Sequence, residues 1–201
     1  MSKESNSVQE QLDLKQNIIS ESWKIIIKEG WQALSIRKIA EGIGFSVPVI
    51  YKHFENKEAI LAHFSKEGFA ILAEKIEQSI SGITPGAMRL RAIRDSYWAF
   101  ASEHTAHYRI MFGLGIPACE AINSNTEMRA TSDLIYAAIT DLLIENQHTT
   151  DEAYLKLKTF WSILHGFIAI ELLAKNSITH PPAATINDAI EGFIYTLIHK
   201  K

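Results

Sequence analysis

The sequence predicts an all-α protein of about nine helices, and three observations support that fold class. Apolar residues recur with the 3.6-residue period of an amphipathic helix through almost the whole chain. No stretch shows sustained alternation of apolar and polar residues between turn signals, which is the pattern of a half-buried strand. Residues that favour helix starts and ends, such as Ser35, Gly44 and Asn56, stand at the borders of the periodic segments.

Composition indicates an ordinary globular protein. The chain has 201 residues, of which 47% are hydrophobic and 21% charged, enough for a substantial core in one or two domains. No segment approaches 18 consecutive apolar residues, so we expect no membrane span. Residues 1–10 are polar and are expected to form a frayed tail rather than a signal peptide. The single Cys119 excludes an internal disulfide framework and suits a reducing, cytoplasmic compartment.

A helix over about residues 13–29 opens the chain. Its apolar residues fall on one face, and Gly30 follows where a helix commonly ends. The residues expected to face the core are Ile19, Trp23, Ile26 and Ile27.

Two short helices joined by a tight turn are predicted between residues 35 and 53. Ser35 can cap the first helix, because its hydroxyl accepts a free backbone N–H. Gly44 suits a sharp turn that needs a residue without Cβ. Ser46 is placed to cap the second helix, and Pro48 lies in its first turn, where a missing N–H costs nothing.

The second short helix has a buried side and an outward side. We expect it to bury Phe54 and either Val49 or Ile50. The residues expected to point outward are Val47, Lys52 and His53. This is the geometry of a helix-turn-helix, in which a small turn presents the second helix to a DNA major groove.

The rest of the chain is predicted to be helical as well. The further helices are expected at about residues 56–79, 85–103, 106–112, 121–146, 151–175 and 186–199. Asn56 caps the first of these, and Thr84-Pro85 reads as the cap and first position of the next. The helix over 151–175 is apolar on nearly every side from residue 160 to 174, so we expect it to be buried all round.

The net charge of −3 is unevenly distributed. Residues 35–57 hold four basic and two acidic side chains, a balance of +2, which leaves −5 on the remaining chain. A modest positive patch on an acidic body suits a protein that contacts phosphates at one end only. Because the patch is small, tight binding would need two copies.

The segment around residues 30–58 resembles the DNA-binding region of the tetracycline-repressor (TetR) family of bacterial transcriptional regulators. The matching positions are Gly30-Trp31, Ser35, Ile39-Ala40, Gly44, Ser46, Tyr51-x-His53-Phe54 and Asn56-Lys57-Glu58. About ten matches in register over roughly 45 residues make the resemblance specific. It implies a helix-turn-helix DNA-binding domain over residues 1–55 and a helical effector-binding and dimerisation domain over residues 56–201, connected by a stiff shared helix.

The same resemblance implies which residues contact DNA. They are Ser35, Arg37, Ser46, Val47, Pro48, Val49, Tyr51, Lys52, His53 and Lys57. Val47, Pro48 and Val49 would lie nearest the base edges, and Tyr51, His53 and Lys57 would donate to phosphates. Since the three base-facing residues offer little beyond contact with a thymine methyl, base readout falls to Lys52, Arg37 or DNA shape. The alternative is a short core helix whose polar residues are surface decoration.

A second resemblance concerns a small-molecule site. Trp161-x-x-x-His165-Gly166 and the run from Tyr108 to Gly113 resemble signatures of one branch of TetR C-terminal domains, the Trp-His-Gly type. The residues predicted to contact an effector, which would be small and largely apolar, are Trp98, Tyr108, Met111, Phe112, Tyr136, Trp161 and His165. Gly166 would permit a close helix crossing or open space beside the His165 ring. The alternative is that these residues are simply core.

The two C-terminal helices, at about 151–175 and 186–199, are predicted to form a homodimer interface, as they do in the family. They could instead form the core of a monomer. A two-fold dimer would place its recognition helices one DNA turn apart, roughly 34–36 Å, on a near-palindromic operator of double-stranded DNA.

Catalytic and metal-binding chemistry find little support in the sequence. His104-x-x-His107 has helix-face spacing, but no third ligand is evident nearby, and the pair is expected to face solvent. There is no Gly-rich phosphate loop or nucleophile elbow, and nothing near Cys119 indicates a redox sensor. We therefore predict no enzyme, no metal and no cofactor.

The sequence as a whole predicts a DNA-binding transcriptional regulator, a repressor released from its operator by the effector. The alternative is a helical ligand-binding or adaptor protein that no longer binds DNA specifically. Effector identity, operator sequence, regulated genes and the direction of regulation do not follow from these residues.

Overall fold

The computed structural model describes residues 3–113, 126–175 and 184–199, with side chains over 10–113, 126–173 and 184–199. Within these ranges the chain forms nine α-helices, a single 3-10 turn and no strand, so the predicted all-α class is confirmed. The elements are α1 Lys3–Glu29, the 3-10 turn Trp31–Ala33, α2 Ile36–Ile43, α3 Val47–Tyr51, α4 Lys57–Ile80, α5 Gly86–Glu103, α6 Thr105–Met111, α7 Thr126–Glu145, α8 Ala153–Lys175 and α9 Ala184–Ile198.

The chain divides into two compact units, Met1–Ser65 and Lys66–Lys201, so the division falls inside α4. In the N-terminal unit, α2 packs against α1 and α3. Its core is formed by apolar side chains from each of its α-helices and from the segments between them, and includes Ile18, Ile25, Ile26, Leu34, Ile39, Ala40, Ile50, Phe54, Ile60, Leu61 and Phe64. Burial of these side chains stabilises the packing of the 3-10 turn, α2 and α3 within the N-terminal unit.

Helix α1 differs from its prediction in length and in face. It begins at Lys3, ten residues before the expected start, because the polar segment ahead of residue 13 contains good helix formers although it has no apolar period. The predicted frayed tail is therefore wrong for residues 3–10. Ile27 is 60% exposed, whereas Ile18, Ser22 and Ile25 are buried, so the buried face is rotated from the predicted one.

The turn between α2 and α3 has the expected chemistry. The Ser35 hydroxyl accepts a hydrogen bond from the Lys38 backbone N–H at 3.3 Å and caps α2. Gly44 ends α2 with φ of 72°, the left-handed conformation that a residue without Cβ adopts at least cost. The Phe45 N–H then bonds to the Ala40 carbonyl at 2.9 Å, which closes the helix end.

The C-terminal unit is a bundle in which α5, α7, α8 and α9 pack against one another and α6 packs on α5. Helix α5 crosses α7 closely at Gly86, where a Cβ would lie 2.6–2.8 Å from the backbone and Cβ of Leu142. The start of α5 is also capped from α7, since both carboxylate oxygens of Glu145 accept from the Gly86 N–H, at 2.9 and 3.1 Å. Pro85, predicted as the first helical residue, is instead the N-cap residue.

Helix α8 is not buried all round in the single chain, contrary to prediction. Its inner side is fully packed, but Ile170 and Leu173 are 62% and 74% exposed. Helix α9 behaves as its pattern predicts, because its apolar stripe of Ile186, Ile190, Phe193, Ile194 and Leu197 is buried in the core of the same unit.

Some predictions fall outside the described residues: those on Cys119, on the start of the helix near residue 121 and on Pro181-Pro182. None of the helices in the described ranges is both long and apolar enough to cross a membrane.

Candidate nucleic-acid interface and ligand site

Helix α3 presents one side to the core and the other to solvent. Ile50 is fully buried and Phe54 nearly so, which resolves the choice between Val49 and Ile50 in favour of Ile50. Pro48 and Lys52 are exposed, as is Tyr51 at 54%. Val47, Val49 and His53 are half-buried. The helix is thus anchored by its centre and by the residue that follows it, and its remaining side chains form an accessible surface.

Ser46 occupies the N-cap position of α3, but its hydroxyl makes no capping hydrogen bond. A capping side chain bonds the N–H of the second or third helical residue. Here the second is Pro48, which has no N–H, and the Val49 N–H already donates to the Ser46 carbonyl at 3.0 Å. The predicted cap is therefore wrong, and the exposed Ser46 hydroxyl is available to another acceptor or donor.

The basic residues around the helix-turn-helix differ in their partners. Arg37 lies 3.4 Å from Glu41, and Lys38 lies 2.6 Å from Glu29, whose pKa it lowers through the hydrogen bond. Lys52 and Lys57 make no ion pair with any residue that the structure describes. The uncompensated positive charge therefore lies at the end of α3, on Lys52, and at the start of α4, on Lys57.

The first turn of α4 is well ordered for anion contact. The Asn56 side chain accepts a hydrogen bond from the Ala59 N–H at 2.8 Å, as its predicted capping role requires. Lys57 is the first helical residue and is half-buried. A cation at the positive end of a helix dipole adds to the attraction for a phosphate. Phe45, which sequence reasoning did not select, is 48% exposed directly before Ser46.

In the C-terminal unit, four of the predicted ligand residues come together. The Phe112 ring lies 4.8 Å from that of Tyr108 and 4.7 Å from that of His165, between centroids. Trp161 lies one turn before His165 on α8, and both side chains are half-buried. The Trp-x-x-x-His spacing therefore places both side chains on the flank of α8 that faces α5 and α6.

These aromatic residues are linked by hydrogen bonds that involve Tyr97. The Trp161 indole N–H donates to the Tyr97 hydroxyl at 2.8 Å. The Tyr97 and Tyr108 hydroxyls interact with each other, and the Tyr108 oxygen lies 2.6 Å from His165 Nδ1. Burial raises the pKa of both tyrosines well above the ordinary value, and it lowers the pKa of His165. All four groups are therefore neutral near pH 7.

Tyr97 is the residue that sequence reasoning missed. It is fully buried on α5, one position before the predicted Trp98. The buried positions Leu90, Ile93, Tyr97 and Phe100 follow the helical period, so the stripe itself could have identified it.

The other predicted ligand residues lie apart from this group or at its margin. Trp98 is fully buried in the core of the C-terminal unit, and Tyr136 on α7 is 38% exposed. Met111 is half-buried and packs near Gly68 of α4, whose missing Cβ makes room for its sulfur.

Gly166 does not lie in a close helix crossing within the chain, since a Cβ there would have no heavy atom within 4 Å. It shares a helical stripe with Leu155, Thr159, Ser162, Ile170 and Leu173, and all of these neighbours are exposed. On α9 the exposed Gly192 has equally open surroundings and stands one turn before exposed Tyr195. The two C-terminal helices therefore each carry an outward stripe with a glycine at its centre.

The histidine pair on α5 and α6 does not face solvent as predicted. His107 is buried, with its Nε2 3.7 Å from the Glu67 carboxylate, and the His104 ring stacks on Phe100. Burial lowers the pKa of His107, with Glu67 opposing the shift. No group of three or more potential metal ligands occurs among the described residues.

Comparison with known families matches both units. Residues 18–64 match the model of bacterial regulatory proteins of the tetR family. Residues 90–193, about half of the chain, match the tetracyclin repressor-like C-terminal domain.

Individual relatives agree with these models. An uncharacterized HTH-type transcriptional regulator of Haemophilus influenzae is 26% identical over 96 residues, or 48% of this chain and 51% of that protein. The HTH-type transcriptional activator FasR of Mycolicibacterium smegmatis is 26% identical over 89 residues, or 44% and 41%. The chain thus spans about half the length of these curated relatives, or less.

Solved structures show the same fold over nearly the whole chain. A protein of unknown function from Rhodococcus sp. RHA1 is similar with a TM-score of 0.72 at 21% identity, covering 92% of this chain and 96% of that one. The regulator FadR from Bacillus subtilis in complex with stearoyl-CoA has a TM-score of 0.67 at 14% identity, with 92% and 98% covered. With a helix-turn-helix at its N-terminus and a matching domain over half its length, this chain belongs to the TetR family of bacterial transcriptional regulators.

Proposed function

We propose that this protein is a homodimeric DNA-binding repressor, whose α3 enters the major groove of a near-palindromic operator and whose C-terminal unit binds a largely apolar effector. The observation that carries the proposal is the two-sidedness of α3, which is held by buried Ile50 and Phe54 and leaves Pro48, Tyr51 and Lys52 accessible. A protein of this kind would act in the cytoplasm, where bacterial DNA lies, and we assign it no catalytic role.

The proposed contacts divide by chemistry. Val47, Pro48 and Val49 would meet base edges, where they offer apolar contact, and Lys52 and Arg37 would supply polar readout. Tyr51, His53 and Lys57 would bind phosphates, joined by Ser35 or the uncapped Ser46 hydroxyl. Because Arg37 is already paired with Glu41, its contribution requires that pair to open, whereas Lys52 needs no such exchange.

Dimerisation through α8 and α9 is supported by the side chains that these helices leave in solvent. Five large residues on them are exposed: Tyr154, Leu155, Ile170, Leu173 and Tyr195. An apolar surface of this kind on a soluble fold commonly marks an interface. Gly166 and Gly192 would let the helices of the two copies approach closely at the centre of a four-helix contact.

The apolar nature of the effector is supported by the aromatic group around Tyr108, Phe112 and His165, and by the similarity to a FadR structure that contains stearoyl-CoA. For the effector to regulate binding, it must prefer one arrangement of the recognition helices over another, since equal affinity for both shifts nothing. Release of DNA on binding is our working direction, although a curated relative is an activator.

The second candidate is a ligand-binding or adaptor protein that has lost specific DNA binding. The observation that favours it is the weak polarity of α3, where three consecutive residues, Val47, Pro48 and Val49, offer no hydrogen-bonding side chain. The two candidates differ in sequence preference and in salt dependence.

Gel-shift titrations with fragments from around the protein's own gene distinguish them. The proposed function predicts a preferred near-palindromic site, with specific binding that persists at physiological salt and is lost when the palindrome is scrambled. Binding that appears only at low salt, with equal affinity for all fragments, would establish the adaptor instead.

A further inference from the structure

The hydrogen-bonded chain of Trp161, Tyr97, Tyr108 and His165 has ends of different chemistry. An indole N–H can only donate, so the Trp161 end cannot accept a proton from Tyr97. A hydroxyl donates one hydrogen bond and accepts others, and a neutral imidazole has one donor and one acceptor nitrogen. The direction of donation along the four side chains therefore depends on where the Tyr97 and Tyr108 hydroxyl protons point.

Donor counting selects one direction. Tyr97 is fully buried, its oxygen accepts from the Trp161 indole N–H at 2.8 Å, and its other hydrogen-bonding contact is the Tyr108 hydroxyl. If Tyr97 donates to Tyr108, then Tyr108 donates to His165 Nδ1, and all three donors of the chain are satisfied. If the chain ran the other way, the buried Tyr97 proton would have no acceptor, which is costly.

This direction of donation determines the tautomer of the His165 imidazole. With Nδ1 accepting from Tyr108, a neutral imidazole carries its proton on Nε2. Among the residues that the structure describes, Tyr108 is the hydrogen-bonding partner of His165, and Nε2 has none. The half-buried ring, beside Phe112 at 4.7 Å, thus holds an N–H donor within apolar surroundings.

We propose that His165, held by this chain as the Nε2–H tautomer, is the polar contact of the effector site and selects an apolar molecule that carries an uncharged carbonyl oxygen. This deepens the effector site of the proposed function and rests on it. A neutral N–H donates to a carbonyl oxygen without the desolvation cost of an ion. An ammonium group of a ligand has only donors, so it cannot accept from this N–H.

The tautomer is measured first, on the full chain labelled with 15N-histidine, by long-range proton–nitrogen NMR correlation. The His165 signals are identified by their absence in His165→Gln. A bare Nδ1 and a protonated Nε2 are expected; the opposite pattern overturns the inference. Tyr108→Phe should give a mixture of tautomers, since Nδ1 then loses the hydroxyl that donates to it. The matched variant Tyr97→Phe should leave the bare Nδ1 and the protonated Nε2 unchanged, because the buried Tyr108 proton still has Nδ1 as its acceptor.

Ligand preference is measured by displacement of the uncharged fluorophore N-phenyl-1-naphthylamine. The competitors are 2-alkanones of increasing chain length, with alkanes and 2-aminoalkanes matched in carbon number. The wild-type protein should prefer the ketone by about tenfold, the effect of one well-made hydrogen bond in an apolar site. His165→Phe should abolish that preference while the affinity for alkanes is kept, and His165→Gln, which retains an N–H donor, should preserve most of it.

The outcomes separate this inference from the proposed function. Equal binding of ketone and alkane to the wild type, or a ketone preference that survives in His165→Phe, overturns the role of His165 and leaves an apolar effector site in place. Displacement by none of the competitors overturns both the inference and the apolar effector. Operator binding is measured separately and is affected by neither result.

Discussion

Around the helix-turn-helix, the basic side chains fall into two groups. Arg37 and Lys38 form ion pairs with neighbouring carboxylates, whereas Lys52 and Lys57 make no ion pair with a described residue. An exposed ion pair contributes little to stability, so these pairs are not expected to hold the fold. We expect them to affect recognition instead, because, among the described residues of this region, they leave Lys52 and Lys57 as the basic side chains free of ion pairs that could contact phosphates or bases.

Lys57→Ala should weaken DNA binding by a similar factor on all sequences. It should also make the dependence of log affinity on log salt shallower by about one unit per protomer, since one phosphate contact is lost in each. Filter binding over a range of salt concentrations measures both quantities. Lys66→Ala, which removes an exposed lysine from the same helix outside the N-terminal unit, is the matched control. An unchanged salt slope in Lys57→Ala would contradict the phosphate role.

Buried His107 and half-buried His165 make stability depend on pH. Burial lowers the pKa of His165 and of His107 below the ordinary value near 6.5. The unfolded chain therefore binds more protons than the folded one in mildly acidic solution, and the free energy of unfolding falls as the pH drops below about 6.5. Above that value both states are neutral at these residues, and the effect disappears.

Denaturant unfolding at several pH values between neutral and mildly acidic measures this loss. His165→Gln should flatten the decline, because the variant has no imidazole to protonate. His199→Gln, which removes an exposed histidine directly after α9, should leave the decline unchanged. If His165→Gln and the wild type lose stability in parallel, burial of His165 does not govern its protonation.

At the scale of the elements, the packing of the C-terminal unit depends on close helix crossings and on contacts between residues that lie far apart in the sequence. Glu145 of α7 caps α5 through the Gly86 N–H, which places a carboxylate at the positive end of the α5 dipole. Arg91 of α5 bonds Glu191 of α9 through two nitrogens, at 2.7 and 2.6 Å. These contacts position α5, which supplies Tyr97 to the hydrogen-bonded chain.

Gly86→Ala should destabilise the protein by about 1–3 kcal/mol, the usual cost of overpacking. Its Cβ would meet the Leu142 backbone, which cannot move without shifting α7. The control is Gly42→Ala, whose Cβ would meet only the Glu21 side chain, which can rotate away. Thermal unfolding followed by circular dichroism compares the two variants. Equal stability of Gly86→Ala and wild type would show that this crossing is looser than described.

At the scale of the whole molecule, the proposed dimer depends on a surface that the single chain leaves exposed. The apolar stripe of α9 is already buried in the core of the C-terminal unit, so it cannot also contact a second copy. What remains for a second copy is the outward stripe of α8 with Tyr195 of α9. The predicted interface thus keeps its helices, although different side chains would form it.

Leu173→Glu should convert the dimer to a monomer at micromolar concentration. Two apolar side chains related by the two-fold axis would lose contacts worth about 1.5–3 kcal/mol each, and two carboxylates would be buried in their place. Sedimentation velocity measures the state, and Ile144→Glu on α7, also exposed, is the control. A monomeric wild type, or a Leu173→Glu variant that remains dimeric, would contradict the proposed interface.

The sequence allowed prediction wherever the information is local. Ser35, Gly44 and Asn56 act as predicted because a cap or a left-handed turn involves residues within a few positions. Four residues that the resemblance implies for the effector site, Tyr108, Phe112, Trp161 and His165, lie close together in the structure. The resemblance missed Tyr97, which the local pattern alone could have placed on the inner face. The Ser46 cap failed because its outcome depends on which N–H groups are already engaged.

The amino-acid sequence alone determined the helical class, the helix-turn-helix with its Ser35 and Asn56 caps, and the family, because period, capping and motif are properties of short segments. Tertiary structure decided what depends on distant partners: the Glu145 cap on α5, the side of α8 that stays exposed, and the chain that fixes the proton of His165. Those contacts join residues that lie far apart in the sequence, and only packing determines which of the possible pairs meet.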